Sequence, residues 1–349
     1  MKKNIIGLMS GTSCDGLDIV YCQFEFIHGS YQYKLLERDF VGYTAEFVKK
    51  LQGAIHLPSG ELMAFHHEFG DYLGEQVAIF VDKFAISNVD WVASHGHTVL
   101  HRPAEGYTFQ IGRGENIVNK GGIPVICDFR VQDVVLGGQG APLVPVGDHY
   151  LFSEYDACLN LGGFANVSLL RERKRVAFDI SPFNILLNPL AEKLGRPYDE
   201  AGIFASQGSV DLAMLDKLNE FDYYNFSGPK SLALEDVMDF FNPVLSASSI
   251  SEKDKLNTLL VHYVQRIIDA LPKKGKVLIT GGGAKNVYFM NLLKEKYTGE
   301  VVLPAMDLID FKEAIVFAFL GYLKCMNKVN IFSTVTGASK DHSAGCIFN

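Results

Sequence analysis

Apolar residues enter the chain in short runs broken by glycine and serine. Asn4–Met9, Leu17–Phe26 and Tyr33–Phe40 read as three successive strands, joined by the turn residues SGTSCDG and HGS. The period then changes. Between Glu61 and Phe84 apolar residues recur at Leu62, Phe65, Phe69, Leu73, Val77 and Phe80, a spacing of three to four that marks one face of a helix. Trp91–Ser94, Thr108–Ile111 and Pro124–Cys127 are further short strands, with a helix-like stretch at Glu115–Lys120.

After the loop GGQGAPLVP, whose glycines and prolines suit a domain crossing, the pattern starts again. Ala157–Leu161 reads as a strand, GGFAN as its turn, Val167–Leu170 as the return strand and Arg175–Ile180 as a third, so the order strand, glycine turn, strand opens both halves. Leu256, Leu259, Leu260, Tyr263, Val264 and Ile267 give Lys253–Leu271 one apolar helix face. Val277–Thr280 is a strand ending in GGGAKN, Val287–Tyr297 and Phe311–Asn327 are helical, and the tail TGASKDHSAGCIF returns to turn and strand. Alternating strands and helices predict an α/β fold. With 349 residues the chain exceeds what one core holds, so two lobes are expected: 1–130 with 333–349, and 131–332.

Composition narrows the function. With 48% hydrophobic and 21% charged residues the chain is an ordinary globular protein without a low-complexity tract. A formal charge of −8 argues against nucleic-acid or anionic-membrane partners. An anionic small ligand would be held by local amides, a metal ion or single arginines. The six cysteines, at 14, 22, 127, 158, 325 and 346, form no C-x-x-C pair and no zinc spacing, as expected of reduced thiols in the cytoplasm. The apolar run in MKKNIIGLMSGTS is too short for an export signal, and no stretch approaches the ~18 apolar residues of a membrane span.

No G-x-x-x-x-G-K-[ST] loop, no G-x-G-x-x-G opening a helix and no H-R-D set is present. Three glycine turns, SGTSCDG, LGGFAN and TGGGAKN, instead follow directly on apolar strands. Glycine lets backbone amides turn toward a phosphate, the hydroxyls of Ser10, Thr12 and Ser13 add donors, and Asp15 or Asp18 could hold Mg²⁺. Each turn taken singly reads more readily as a plain hairpin turn.

SGTSCDGLD resembles the first phosphate loop of the anhydro-N-acetylmuramic acid kinase family, SGTSxDGxD. SHGHTVLHRP with FQIGRG, DFRVQDVVLGGQGAPLVP, LNLGGFANV, GPKS and ITGGGAKN follow in the family's order and cover nearly the whole chain. The resemblance implies two RNase-H-like lobes of the sugar kinase, Hsp70 and actin superfamily with ATP in the cleft between them. Gly11, Thr12, Ser13 and Asp15 would face the γ-phosphate and Mg²⁺, with Asp18 as a further metal candidate. Gly162, Gly163 and Asn166 would face the other phosphates, and Gly281, Gly282, Gly283 and Asn286 the adenosine side. The implied activity phosphorylates O6 of 1,6-anhydro-N-acetylmuramic acid while water opens the anhydro ring, in a cytoplasmic enzyme of cell-wall sugar recovery; a homodimer is carried over from the family alone.

Asp179 ends the apolar run VAFDI just before SPFN, where Pro182 suits a helix start. The residues alone leave it either facing a ligand crevice or capping that helix. The family's FDTGPGN makes it the catalytic base. Here Ser181 and Phe183 replace the two glycines, and Phe183 is expected to alter the substrate wall or the loop's mobility. His97 stands where the family has glutamine, which could make binding pH-sensitive. His95, His97 and His101 share one side of an extended segment and could ligate a metal, but the resemblance assigns His95, His97 and Thr98 to the sugar. Arg130 could grip the lactyl carboxylate of the sugar or pair with Asp128 or Asp133. Glu313 reads as a first-turn helix acid, and by resemblance lines the substrate cleft; Asp307 and Asp310 read as loop and cap residues. A kinase for a different sugar and a non-catalytic nucleotide-dependent binding module remain as rival readings.

Overall fold

The computed structural model describes residues 1–172, 174–226 and 230–349. The chain divides into two compact units, Met1–Leu151 with Phe311–Asn349, and Phe152–Asp310.

In the first unit the three opening apolar runs form β1 (Lys3–Ser10), β2 (Gly16–Ile27) and β3 (Ser30–Gly42), an antiparallel meander. Helices α1 (Ala45–Gly53) and α2 (Ser59–Lys83) follow. Strand β4 (Trp91–Ser94) then pairs parallel to β1. Strands β5 (His97–Arg102) and β6 (Tyr107–Ile111) make a separate hairpin, and α3 (Gly114–Gly121) leads to β7 (Val125–Cys127), parallel to β4. Short helices α4 (Val131–Val135) and α5 (Pro145–Tyr150) close this part. Strand alternation sorts the two faces. Ile6, Leu8, Leu17, Ile19, Val92 and Val125 face Phe65, Phe69, Leu73 and Val77 of α2 in one core.

The second unit repeats the plan. Strands β8 (Ala157–Leu161), β9 (Phe164–Arg171) and β10 (Lys174–Pro182) form the antiparallel meander. Helices α6 (Asn184–Lys193), α7 (Ile203–Ser206), α8 (Leu212–Asn219), α9 (Leu234–Ala247) and α10 (Glu252–Ala270) follow. Then β11 (Lys276–Thr280) pairs parallel to β8, and after α11 (Val287–Lys296) comes β12 (Glu300–Val302), parallel to β11. Leu159, Val167, Phe178 and Ile279 of the sheet pack with Phe241, Leu259 and Tyr263 of the helices.

The chain returns to the first unit through α12 (Met306–Cys325), α13 (Ser333–Thr336) and β13 (Cys346–Phe348), the last pairing antiparallel to β7. The sheet orders are β13-β7-β4-β1-β2-β3 and β10-β9-β8-β11-β12. Reading from β3 to β7 and from β10 to β12, both run third, second, first, fourth, fifth with the same strand directions, the RNase-H-like plan expected for each lobe.

The boundaries lie elsewhere than at 130/131 and 332/333. The loop after α4 stays with the first unit because Asp133 accepts the Gly140 amide (2.7 Å) and the Thr336 hydroxyl (2.6 Å), while Gln139 N–H donates to Thr336 O at 2.8 Å. Residues 311–325 stay there because α12 lies on the second face of the first sheet, with Phe319 and Tyr322 against Phe24. Helix α12 also starts earlier than the apolar pattern implies. Asp307 is its first-turn acid, Asp310 is inside it, paired with Lys285 (2.6 Å), and Glu313 falls in its third turn. Of GGFAN only the two glycines form the turn, since Phe164–Asn166 already pair with β8 or β10. Helix α1 and strands β5 and β12 carry no clear periodic signal.

The approach of α12 to β1 rests on Gly7. A Cβ there would lie 2.3 Å from Ala314 O and 2.9 Å from Ala318 Cβ. We expect Gly7→Ala to lower the unfolding free energy by about 1–3 kcal/mol, the ordinary effect of overpacking, in urea denaturation.

Candidate active site

The turn between β1 and β2 is closed by Cys14 N–H donating to Gly11 O (3.1 Å), with Cys14 itself at φ +55°. Thr12, Ser13 and Asp15 are exposed, and Ser13 Oγ donates to Asp15 Oδ1 at 2.6 Å. Beneath the turn runs a line of hydrogen bonds. Tyr43 Oη donates to Ser10 Oγ (2.8 Å), Ser10 Oγ meets His97 Nδ1 (3.0 Å), and His97 Nε2 lies 3.9 Å from Cys14 Sγ. If Ser10 donates to Nδ1, the imidazole keeps its proton on Nε2, facing the thiol. Burial holds the His97 pKa down at about 4, so it is neutral near pH 7.

Arg130 directs Nε and Nη2 at His95 Nε2 (3.0 and 2.9 Å) and Nη1 at Gly140 O (2.7 Å), so its hydrogen bonds go neither to Asp128 nor to Asp133. His95 Nδ1 donates to Gly96 O at 2.9 Å, and burial, then the Arg130 charge, push its pKa well down. A neutral Nδ1–H imidazole therefore accepts from the guanidinium and fixes its plane. The outer N–H groups of Nη1 and Nη2 are left for a carboxylate. Burial pushes the Glu313 carboxyl up, while the charges of Arg130 and Lys312 pull it back. Thr98 Oγ1 accepts from Gln110 at 3.3 Å, and His101 Nδ1 meets Thr108 Oγ1 at 3.0 Å. The three histidines thus serve three different partners.

Among the described residues no group of three or more His, Cys, Asp or Glu could hold a metal ion by itself. A Mg²⁺ ion bound chiefly through phosphate oxygens and water needs only one or two carboxylates. Exposed Asp15 in the turn fits that demand. Asp18 lies within β2 opposite Met9 and Phe40, on the face away from Leu17 and Ile19, which is the α12 side.

In the second unit Thr280, Asn160, Asn166 and Asp179 are direct neighbours across β11, β8, β9 and β10, a polar row on the face opposite the core. Asp179 Oδ2 accepts the Leu232 amide (2.9 Å) and the Ser231 hydroxyl (3.2 Å). Its own amide donates to Lys230 O (3.1 Å) and its carbonyl accepts from Tyr223 Oη (2.7 Å). Burial raises the pKa of the carboxyl and the two donors on Oδ2 lower it again. Capping of α6 is excluded: β10 runs on to Pro182, and the α6 cap position is Phe183, with no side-chain cap.

The Gly162 and Gly163 carbonyls accept the amides of Phe183, Asn184 and Ile185 (2.8–3.2 Å), pinning their turn to the start of α6, while a side chain at Gly163 would meet open space. At Gly281 (φ +84°) a Cβ would come 2.6 Å from Asn160 Oδ1, so this turn sits directly on the polar row. At Gly283 it would strike the Phe183 ring, whereas Gly282 is open. Asn286 caps α11 by accepting the Phe289 amide at 3.0 Å, leaving only its Nδ2 free of that task.

A sequence profile described as anhydro-N-acetylmuramic acid kinase matches residues 3–349. The chain belongs to the anhydro-N-acetylmuramic acid kinase family. It is 34% identical to the protein of that name from Haemophilus influenzae, covering 98% of this chain and 97% of the relative. It is 31% identical to the one from Sulfurimonas denitrificans over 100% of both chains. In the matched region no helix of the described residues is long and apolar enough to cross a membrane.

Against the family pattern, Phe183 is not a substrate wall. Its ring is fully buried, 5.3 Å from that of Tyr263 and 4.9 Å from that of Phe289, so the family's small residue has been replaced by a core side chain. Of the GPKS motif, Gly228 and Pro229 lie outside the described residues, but Lys230 and Ser231 hold Asp179. That role, with those of Tyr43 and Asn160 and the link from Ser10 to His97, is not visible in the sequence. The only signal was the motif itself, because a backbone amide such as that of Leu232 leaves no mark in residue type.

Burial holds His97 neutral and keeps His262 near pKa 3. The unfolded chain protonates such groups at about 6.5, so unfolding free energy should fall as pH drops from about 7 toward 4. His97→Gln should make that fall shallower, compared by urea denaturation at about pH 7 and pH 5.

Proposed function

We propose that the chain transfers the γ-phosphoryl group of ATP to O6 of 1,6-anhydro-N-acetylmuramic acid as water opens the anhydro ring, giving N-acetylmuramic acid 6-phosphate. Family membership supports the substrate and product. The observation that carries the chemistry is Asp179, whose Oδ2 is tethered while Oδ1 is free of those tethers. A carboxylate held in this way can orient a water through Oδ1 without turning. The water oxygen attacks the anomeric carbon and its proton passes to Asp179; the C1–O6 bond breaks, and O6 takes the γ-phosphorus as ADP leaves. Raised basicity from burial favours the proton transfer.

In this reading Gly11, Thr12, Ser13 and Asp15 serve the γ-phosphate, Gly162, Gly163 and Asn166 the remaining phosphates, and Gly281, Gly282, Gly283 and Asn286 the adenosine. Gly162 contributes shape rather than its amide, since that N–H already donates to Phe164 O at 3.1 Å. Mg²⁺ on Asp15 would supply neutralising charge for the phosphates. Arg130, oriented by His95, holds the lactyl carboxylate; Thr98 and Glu313 bind sugar hydroxyl or amide groups; His97 supports the phosphate turn from below. A cytoplasmic location suits an enzyme of cell-wall sugar recovery.

Reaction in ¹⁸O-water, read by mass spectrometry, should place one ¹⁸O at the anomeric hydroxyl together with one added phosphate. Phosphate without label would reduce the chemistry to plain phosphoryl transfer. Asp179→Asn should lower kcat by about 10²–10⁴ while ATP affinity, measured by calorimetry, stays unchanged. In the unaltered protein kcat should rise with pH through an apparent pKa above the ordinary aspartate value of about 3.9.

A further inference from the structure

A cavity of about 210 Å³ opens on the helix side of the second sheet, beside the end of α10. Phe178 and Ile180 line it, so by strand alternation it lies on the other face of β10 from Asp179. Arg171, Lys230 and Arg266 also line it, with Asp269 the sole acid among the described lining residues. In a chain of formal charge −8 this is a local positive excess. Asp269 neutralises one of the three, through Arg266 Nη2 at 3.0 Å. The balance is two positive charges.

The cations are held as recognition groups rather than as a solvated fringe. The Arg171 guanidinium lies 5.2 Å from the Phe178 ring centre and that of Arg266 5.3 Å from the Tyr224 ring, so both are seated on aromatic walls. Arg266 Nε is buried and has no hydrogen-bond partner among the described residues. Lys230 Nζ donates to Tyr223 O (2.8 Å) and Phe226 O (2.9 Å), which leaves one N–H. An unsatisfied buried donor on one of three cations lining the same cavity calls for an oxyanion.

We propose that this cavity is a second ligand site, distinct from the catalytic face, for a monosaccharide phosphate. The dianionic phosphate matches the two uncompensated charges, and the aromatic walls suit the apolar face of a sugar ring. The cavity is smaller than the roughly 300–1,000 Å³ of drug-sized sites, which excludes a dinucleotide or polymer. Because the Lys230 carbonyl accepts the Asp179 amide, and Ser231 and Leu232 hold its carboxylate, an occupant on Lys230 touches the segment that tethers the base.

The test is calorimetric titration of the full chain with glucosamine 6-phosphate as probe, with inorganic phosphate and glucosamine as separate arms. We expect saturable binding of the sugar phosphate, weakened about tenfold or more by Arg171→Glu and retained within a few-fold by Arg171→Lys, with inorganic phosphate and glucosamine each at least about tenfold weaker. Arg171 is exposed, so the charge reversal is compatible with folding, and without the probe its kcat/KM should equal that of the unaltered protein. Asp179→Asn should leave the probe's affinity unchanged. No saturable binding, indifference to Arg171→Glu, or loss of binding in Asp179→Asn would overturn the site; inorganic phosphate binding as tightly as the ester would overturn the sugar assignment. Binding is read without turnover, so the result stands apart from that of the catalytic assignment.

Discussion

A carboxylate drawn part-way out of water keeps its charge only if donors are brought to it, and it stays basic only if they are few. Asp179 meets both conditions on one oxygen. Burial raises its pKa, the Leu232 amide and Ser231 hydroxyl pull it back only in part, and the net effect is upward. Strand register sets Asp179 at the end of the second unit's polar row. Asn160 and Asn166 extend it across the sheet, and Gly281 closes over Asn160 because no side chain stands in the way. The backbone of β10 contributes as well. Its register shifts between Asp179 and Ser181, an irregularity just past the carboxylate after which pairing resumes at Ser181–Ala165 and Pro182–Phe164.

The repeated sheet order explains where the glycine turns fall. In each unit the first strand runs into an antiparallel partner, so its end becomes a tight turn: residues 11–15 after β1, and Gly162–Gly163 after β8. The fourth strand is parallel to the first and ends beside it, at His95 in one unit and Gly281 in the other. Chemistry collects at these carboxyl ends because open α/β sheets leave their loops there. The first unit has filled its fourth-strand position with a neutral imidazole that orients an arginine. The second has left it as bare glycine backbone.

Much of this plan could be read from the chain. Period-two runs in β1, β2, β8 and β10, and the three-to-four spacing in α2 and α10, arise from burial on one face and so leave a pattern. What stayed hidden has no such periodicity. Strand β5 carries His97, Thr98 and His101, polar residues whose partners lie on β6 and beneath the first turn, so HTVLHR reads as an extended segment without the apolar alternation that marks a strand. The start of α12 leaves no apolar pattern because Asp307 and Asp310 interrupt the run, although acids suit a helix's first turns. Phe183 is hidden for another reason: a phenylalanine beside a candidate base reads as a wall, and only three-dimensional packing places it in the core. The anchoring of Asp179 by residues about fifty positions downstream joins segments that no local rule relates.

The edge strand β13 lies more than two hundred residues from β7, the strand it pairs with, and α12, which covers β1, is also made late. The second unit is a single continuous stretch and can collapse on itself during translation. The first cannot: until residues 311–349 emerge from the ribosome, the far face of β1, β2 and β4 has no cover and β7 remains an open edge. Such surfaces invite other chains during synthesis. The insertion therefore makes the earlier-translated half the later-finished one.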